Sequence, residues 1–409
     1  MWRLYNRKDL LMNKKKLGLA NVVSISVGLV VATSCLVSLG EGSGTLGVTF
    51  ILAMAIAMLL NMTTVASLSE LNALMPNTTG GLAQYTLAAI GPLPTLVSMV
   101  GGYIICNTMS CGVEASIFSF SLADTIGGNI PSIVYTFIMT FIILLANLRG
   151  VDMFAKIQDI VAFLLVGSLV VMGFIGMIGA GMGAKVDQPF VLEADFKGIA
   201  SMTAVAFWLF IGAEYAIPIS KEVKNAKRNV PLGMMIGLFL IFIMQSVMVF
   251  GFHNYVEWGK LADSAAPHLL YGYAILGKFG KIWMMLVGAL AVISTQNSTV
   301  NSLAVICQGM AKMNMMPKIF AKTNKYKVPW FGQVFVSAAI FLFAFVSNNS
   351  ADMIDFLILA GSVIWMVSYI LAHIDVLVFR KRLPKAPRNF KVPGGWTLPV
   401  IGILGTAYM

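Results

Sequence analysis

The feature that most limits what this chain can become is the recurrence, along its whole length, of apolar runs long enough to cross a bilayer. A helix needs about 20 residues to traverse ~30 Å of hydrocarbon. Only helices and closed barrels satisfy every backbone group there. The runs are continuously apolar, which predicts helices rather than the ~10-residue alternating strands of a barrel. They fall at 17–40, 48–72, 90–120, 130–148, 157–183, 199–219, 232–252, 279–308, 331–347 and 353–379, with another beginning near 398. The expectation is an all-α polytopic membrane protein with ten complete spans plus the start of an eleventh. Because Met409 falls inside that last run, and a half-crossed span leaves backbone groups unsatisfied, the chain reads as truncated.

Composition agrees with this reading. With 58% hydrophobic and 11% charged residues and a mean hydropathy of +0.85, a water-soluble fold of 409 residues is excluded. The net charge of +11 is a topological signal rather than a mark of nucleic-acid binding. Arg3, Arg7, Lys8 and Lys14–Lys16 precede the first span, and the other basic clusters, Arg149 with Lys156, Lys221–Arg228, Lys312–Lys327 and Arg380–Lys391, all fall on alternate connections. The N-terminus is therefore expected to be cytoplasmic and the protein to lie in the cell membrane, with the lipid bilayer as its partner. The first run is too long for a signal peptide and stays in the chain. The four cysteines, Cys35, Cys106, Cys111 and Cys307, sit in spans without metal-like spacing and are expected as free thiols. The histidines, His253, His268 and His373, are scattered, so neither a metal site nor a resident cofactor is expected. Gly42, Gly44 and Gly47 spell a phosphate-loop pattern, but between two membrane spans they read as a turn.

Two spans carry small and polar residues at their centres. The first contains Gly28, Ala32, Thr33, Ser34 and Cys35, and the sixth contains Trp208, Ile211, Gly212, Glu214 and Pro218. Broken helices near the midplane are where membrane carriers bind substrate, because the break frees backbone groups. The amides that open the second half of the first span would face an anion such as a carboxylate. Small residues that merely let helices pack closely are the competing explanation. First and sixth is the order that two inverted five-helix repeats require, which divides the chain into a basic segment 1–16, repeats 17–183 and 199–379, and a cytoplasmic connection with the start of the eleventh span at 380–409.

The sixth-span block also resembles a known signature. Phe207, Phe210, Gly212 and Glu214, followed by Glu222, Asn225, Arg228 and Pro231, resemble the pattern of the amino acid–polyamine–organocation superfamily, with Ala226 where that family has proline. Met310–Ala321, Asn147–Gly150 and the group Pro76, Gly80, Gly81 and Tyr85 are similar to further family landmarks. The resemblance implies the leucine-transporter-like inverted 5+5 architecture, with the eleventh span outside that core. It also implies alternating-access transport of amino acids or related amines, or polyamine and organic-cation exchange, with a small-molecule substrate as partner. A channel would favour rings of charge or carbonyls around a symmetric axis. An enzyme would need clustered catalytic groups. Neither pattern stands out, and oligomeric state is not legible.

Two departures matter. Ala32-Thr33-Ser34 replaces the family's glycine-rich motif, placing methyls and hydroxyls where bare backbone usually approaches substrate. Leu164 or Leu165 stands where many relatives carry a fifth-span lysine, so any coupling to H+ or Na+ must use another group, unless the protein is an exchanger. Intramembrane carboxylates are costly and are retained beside partners or water, which singles out Glu114 and Glu214 as coupling or proton-sensing residues. Glu214 is either a titrating switch or a brace for unwound backbone, and Glu114 either a site group or an interhelical contact. Cys106, Ser110 and Glu114 are spaced i, i+4, i+8 on one helix. The resemblance makes Trp208 an aromatic gate. Asn297 and Thr299, in the polar run Gln296–Asn301, and Ser362 beside Trp365 complete the candidates. Glu70 and Asp159 read as interfacial, and Asp375 as an ion pair with Arg380.

Overall fold

The computed structural model of the chain describes residues 16–76, 82–126, 130–192, 196–264, 266–347 and 351–409; Arg3, Arg7, Lys8, Lys14, Lys15, Gly80 and Gly81 lie outside the described residues. Within them the regular secondary structure is helical, apart from an isolated bridge between Leu17 and Val223. In chain order the helices are α1 (Leu19–Val30), α2 (Thr33–Leu46), α3 (Phe50–Leu74), α4 (Leu82–Ile90), α5 (Pro92–Leu96) and α6 (Cys106–Ile126). They continue with α7 (Ser132–Asn147), α8 (Val151–Met177), α9 (Phe196–Trp208), α10 (Ala226–Tyr255) and α11 (Trp258–Ala262). The last four are α12 (Pro267–Lys312), α13 (Trp330–Ser347), α14 (Ala351–Arg382) and α15 (Thr397–Tyr408). A wide π-helical stretch, Val97–Ile105, joins α5 to α6. Among the described residues eight helical stretches are long and apolar enough to cross a membrane, and α1, α7 and α15 are shorter apolar helices.

The helix ends follow from local chemistry. Pro92 and Pro267 open α5 and α12 at first-turn positions that need no amide donor. The expected first span, 17–40, divides at Val31–Ala32 and runs on to Leu46, because Gly42 and Gly44 continue α2 and only Gly47, at φ +58°, makes the turn. The phosphate-loop triplet is thus mostly helix rather than loop. The expected eighth span, 279–308, is the second part of α12, whose earlier part starts at Pro267 and bends at Leu276 and Gly277.

The interior is tied by polar contacts as well as apolar packing. α10 packs on α8, α1 and α3, and α12 on α8 and α13. At Gly28 a Cβ would lie 1.5 Å from Gln158 Nε2, so only glycine lets α1 approach this close to α8. The Gln158 amide donates to Ser294 Oγ at 2.6 Å and accepts from Asn297 Nδ2 at 2.9 Å, while Asn147 Nδ2 donates to Asn297 Oδ1 at 2.9 Å. One chain of hydrogen bonds therefore joins α7, α8 and α12 in a region with no water to substitute for them.

At the basic end, Leu17 N–H donates to the Glu222 carbonyl at 2.9 Å and Lys224 N–H to the Leu17 carbonyl at 2.8 Å, pinning the entry to α1 against the segment after the sixth-span break. The ion pair there corrects the sequence reading. Arg380 pairs with Glu70, not Asp375: its Nε and Nη2 donate to the Glu70 carboxylate at 3.0 and 2.5 Å, with Arg388 Nε 3.3 Å from Oε1 and Val392 N–H donating to Oε2 at 2.8 Å. Asp375 instead accepts from Thr86 Oγ1 at 2.6 Å. Five residues separate Asp375 from Arg380, which turns the two side chains to opposite sides of α14. Glu70, near the end of α3, is buried within the bundle, and Asp159 accepts a hydrogen bond from Asn21 Nδ2.

Removing one partner of a buried ion pair leaves the other charge without compensation. Arg380→Met should therefore lower stability by about 3–5 kcal/mol, whereas Asp375→Asn, which keeps the acceptor for Thr86, should cost no more than about 1 kcal/mol. Thermal unfolding in detergent micelles reads both; equal losses would contradict the pairing.

Candidate functional site

The two broken spans meet at the middle of the bundle. α1 stops at Val30, Val31 and Ala32 are extended or irregular, and α2 restarts at Thr33 with no side chain capping its first turn. The first amides of α2 have no acceptor within the helix. α9 stops at Trp208, and after a turn a short 3-10 segment, Ala213–Ala216, resumes. Gly212 between them holds φ +114°, and a Cβ there would come within 2.6 Å of Leu29 Cδ2 on α1.

Side chains from other segments reach groups that this second break frees. Asn61 Nδ2 donates to the Phe207 carbonyl at 3.4 Å and Gln245 Nε2 to the Leu209 carbonyl at 3.5 Å, while Cys35 Sγ, which donates to the Val30 carbonyl at 2.9 Å, lies 3.8 Å from the Trp208 carbonyl. Gly212 N–H donates to Tyr369 Oη at 3.1 Å. Several buried backbone groups that leave the helix thus have replacement partners, as a region without water demands.

Between the breaks lies a cavity of about 20 Å³, bounded by Leu29, Val30, Ala32, Cys35, Asn107, Ser110, Cys111, Glu114, Trp208, Ile211, Thr295 and Trp365. That volume holds about one water. Nothing the size of an amino acid enters until a wall moves. Trp208 is the partly buried part of that wall. Its ring meets Trp365 edge to face at 6.0 Å, and its Nε1–H donates to Ser34 Oγ at 3.1 Å. Ser34 in turn donates to Glu114 Oε1 at 2.8 Å, so a relay of hydrogen bonds runs from the sixth span through the first to α6.

The two carboxylates are treated differently. Both oxygens of Glu214 are engaged: Oε1 accepts from Tyr103 Oη at 3.3 Å and Trp365 Nε1 at 3.2 Å, and Oε2 from Tyr369 Oη at 2.8 Å. Ser34 and Thr295 both approach the Glu114 carboxylate, whose Oε2, buried at the cavity wall, is the less engaged of its two oxygens. Ser110 Oγ on the same wall neighbours the Cys106 thiol. This wall offers a carboxylate and a hydroxyl, and a ligand that supplies donors would satisfy both.

Of the residues singled out in the sequence, Ala32, Cys35, Ser110, Glu114, Trp208 and Ile211 line the cavity, while Ser34 supports two of them. Cys106 points elsewhere and donates to the Gly361 carbonyl at 2.9 Å. A residue eight positions from Glu114 is rotated about 80° around a helix, whereas one seven away is rotated only about 20°. The facing stripe is therefore Asn107, Ser110, Cys111 and Glu114, and Asn107 and Cys111 could have been found from that period. Asn297 belongs to the α7–α8–α12 hydrogen-bond chain, and Thr299 accepts from Cys111 Sγ at 3.2 Å behind the wall. Thr33 and Gly212 are buried beside the cavity, and Ser362 is half-buried on α14. Thr295, within the polar run, reaches the cavity instead. Tyr103 and Tyr369, which hold Glu214, carry no sequence signal of their own.

A bundle of membrane-crossing helices with two facing broken spans and a small cavity between them is the arrangement of a multi-pass secondary transporter. The chain belongs to the amino acid permease family, whose pattern it matches over residues 17–409. It is 22% identical to the branched-chain amino acid permease BcaP of Bacillus subtilis over 96% of this chain and 86% of that one. It is 24% identical to the arginine/ornithine antiporter of Latilactobacillus sakei, over 87% and 82% of the two chains, and 24% identical to the putrescine transporter PotE of Escherichia coli, over 76% and 72%. Among solved structures, a mutant of the manganese transporter of Eremococcus coleocola shares the fold with a TM-score of 0.64 at 15% identity, over 95% of this chain and 85% of that one.

If Trp208 is the movable wall, Cys35 behind it reports on opening. In a variant whose only thiol is Cys35, Trp208→Ala should speed maleimide labelling about tenfold or more, because the local opening that exposes a buried group becomes less costly. Trp208→Phe, which keeps a ring but loses the bond to Ser34, should fall between. A labelling rate unchanged by Trp208→Ala would contradict this role.

Proposed function

We propose that this chain moves amino acids or related amines across the cell membrane by alternating access, and that Glu114 receives the substrate's ammonium group. The observation that supports the reading is the buried Glu114 carboxylate on the cavity wall, with Oε2 the less engaged of its oxygens. The proteins it is similar to are named for branched-chain amino acids, arginine and ornithine, and putrescine. These compounds differ in side chain and in whether a carboxylate is present, but all bear an amine. A site able to serve such a range needs one fixed anchor for that shared cation and a more adaptable remainder. Charge-assisted hydrogen bonds are roughly twice as strong as neutral ones, which suits a carboxylate to the anchoring role.

The remaining roles follow from position. The uncapped first turn of α2, at Ala32–Cys35, faces the carboxylate of a substrate that has one. Trp208 covers the substrate, and Ile211 and Cys111 shape the space around its side chain. Glu214, held by Tyr103, Trp365 and Tyr369, braces the sixth-span break. If transport is coupled to protons, Glu114 is the carboxylate placed to exchange one with the cavity. Residues 17–183 and 199–379 act as the two repeats that move against one another. The basic end, where Leu17 is bonded to Glu222 and Lys224, is the cytoplasmic gate, and the N-terminus is cytoplasmic in keeping with the distribution of Lys and Arg.

Counterflow in proteoliposomes tests the proposal. Wild type should show saturable exchange of amino compounds, and their analogues lacking the amine should compete poorly. Glutamate and aspartate, which carry excess negative charge, should also compete poorly. Glu114→Gln should lower kcat/KM by at least about tenfold, with Glu114→Asp retaining part of it. Full exchange in Glu114→Gln would contradict the anchor, and absence of saturable exchange in wild type would contradict transport itself.

A further inference from the structure

A second cavity, of about 330 Å³, lies at the basic end, away from the central one. Its walls come from the segment after the sixth-span break, the end of α12 and the turn before α13, and they include Lys221, Lys312, Lys327 and Tyr326. At its floor is Asn301, which is only 3% exposed and whose Nδ2 donor has no partner. Lys221 and Lys312 lie near enough to repel one another. Lys221 and Glu222 on the same wall have interactions of their own, which leaves Lys312, Lys327 and the buried amide donor lining one space. A topological excess of lysine needs no cavity and no buried donor. This arrangement has both.

We propose that this cavity is a binding site for a phosphate-type anion, either a free phosphate or the headgroup of an anionic lipid. Phosphate oxygens accept several charge-assisted hydrogen bonds at once, which matches Lys312 and Lys327 around one buried neutral donor. Because one wall is the segment that follows the broken sixth span and the other is α12, a bound anion ties a part next to the central cavity to its neighbour. The site does not depend on the identity of the transported substrate.

The test uses the purified chain in nanodiscs of neutral lipid, titrated with inorganic phosphate at constant ionic strength so that general screening is held fixed. Phosphate should raise the melting temperature saturably, as a ligand of the folded state does. Lys312→Gln and Lys327→Gln should each shift the half-saturating concentration upward by about tenfold, while Lys312→Arg should keep it near wild type. If the natural occupant is a lipid headgroup, phosphate has little effect and nanodiscs containing phosphatidic acid give the stabilisation, with the same dependence on Lys312 and Lys327. Stabilisation by neither, or by either to an equal degree in wild type and both glutamine variants, would overturn the site.

Discussion

Everything in this molecule depends on the demand that hydrocarbon places on the backbone. Each amide and carbonyl inside the bilayer needs a partner from the protein, because an unmet one costs several kcal/mol. Straight spans meet that demand internally. A broken span does not, and the fold is largely organised around the two places where it breaks. Asn61, Gln245, Tyr369 and Cys35 converge on the sixth-span break because its freed groups require them. The first turn of α2, which like α3, α8 and α12 carries no side-chain cap, opens its amides beside the cavity.

The same accounting separates the two buried acids. Tyr103, Trp365 and Tyr369 surround Glu214, so its charge and lone pairs are committed to holding the bend. Glu114 shares one oxygen with Ser34, which also receives the indole N–H of Trp208. Under the proposed reading, a cation at Glu114 would alter the acceptor strength of Ser34 and with it the hold on Trp208.

Much of this was legible in the sequence because membrane chemistry is written in long patterns. Apolar runs gave the helical class, and the polar centres around Ala32–Cys35 and Ile211–Tyr215 located both breaks. The family resemblance rested on the residues around Glu214. Contacts that depend on rotation or on distant partners were less legible. Spacing by four put Cys106 in line with Glu114, whereas the helical period placed Asn107 and Cys111 there. Arg380 was near Asp375 in the chain but reached Glu70 across the bundle, a pairing that no local pattern encodes. The donors around Glu214 come from the stretch before α6 and from α14, so the hydrogen bonds that engage it became visible only in three dimensions. Asn297 and Thr299 read as site residues from polarity alone, but a polar residue in a membrane needs a partner of any kind, and theirs are other helices.

The central claim is that the carboxylate on α6, not the one at the sixth-span break, meets the substrate. A structure of the complex with a transported amino compound measures this most directly. The account predicts a substrate ammonium about 2.7–3.2 Å from Glu114 Oε2, with Trp208 over it and the donors of Tyr103, Trp365 and Tyr369 still on Glu214. An ammonium seated on Glu214 with those three donors displaced, and Glu114 untouched, would contradict it.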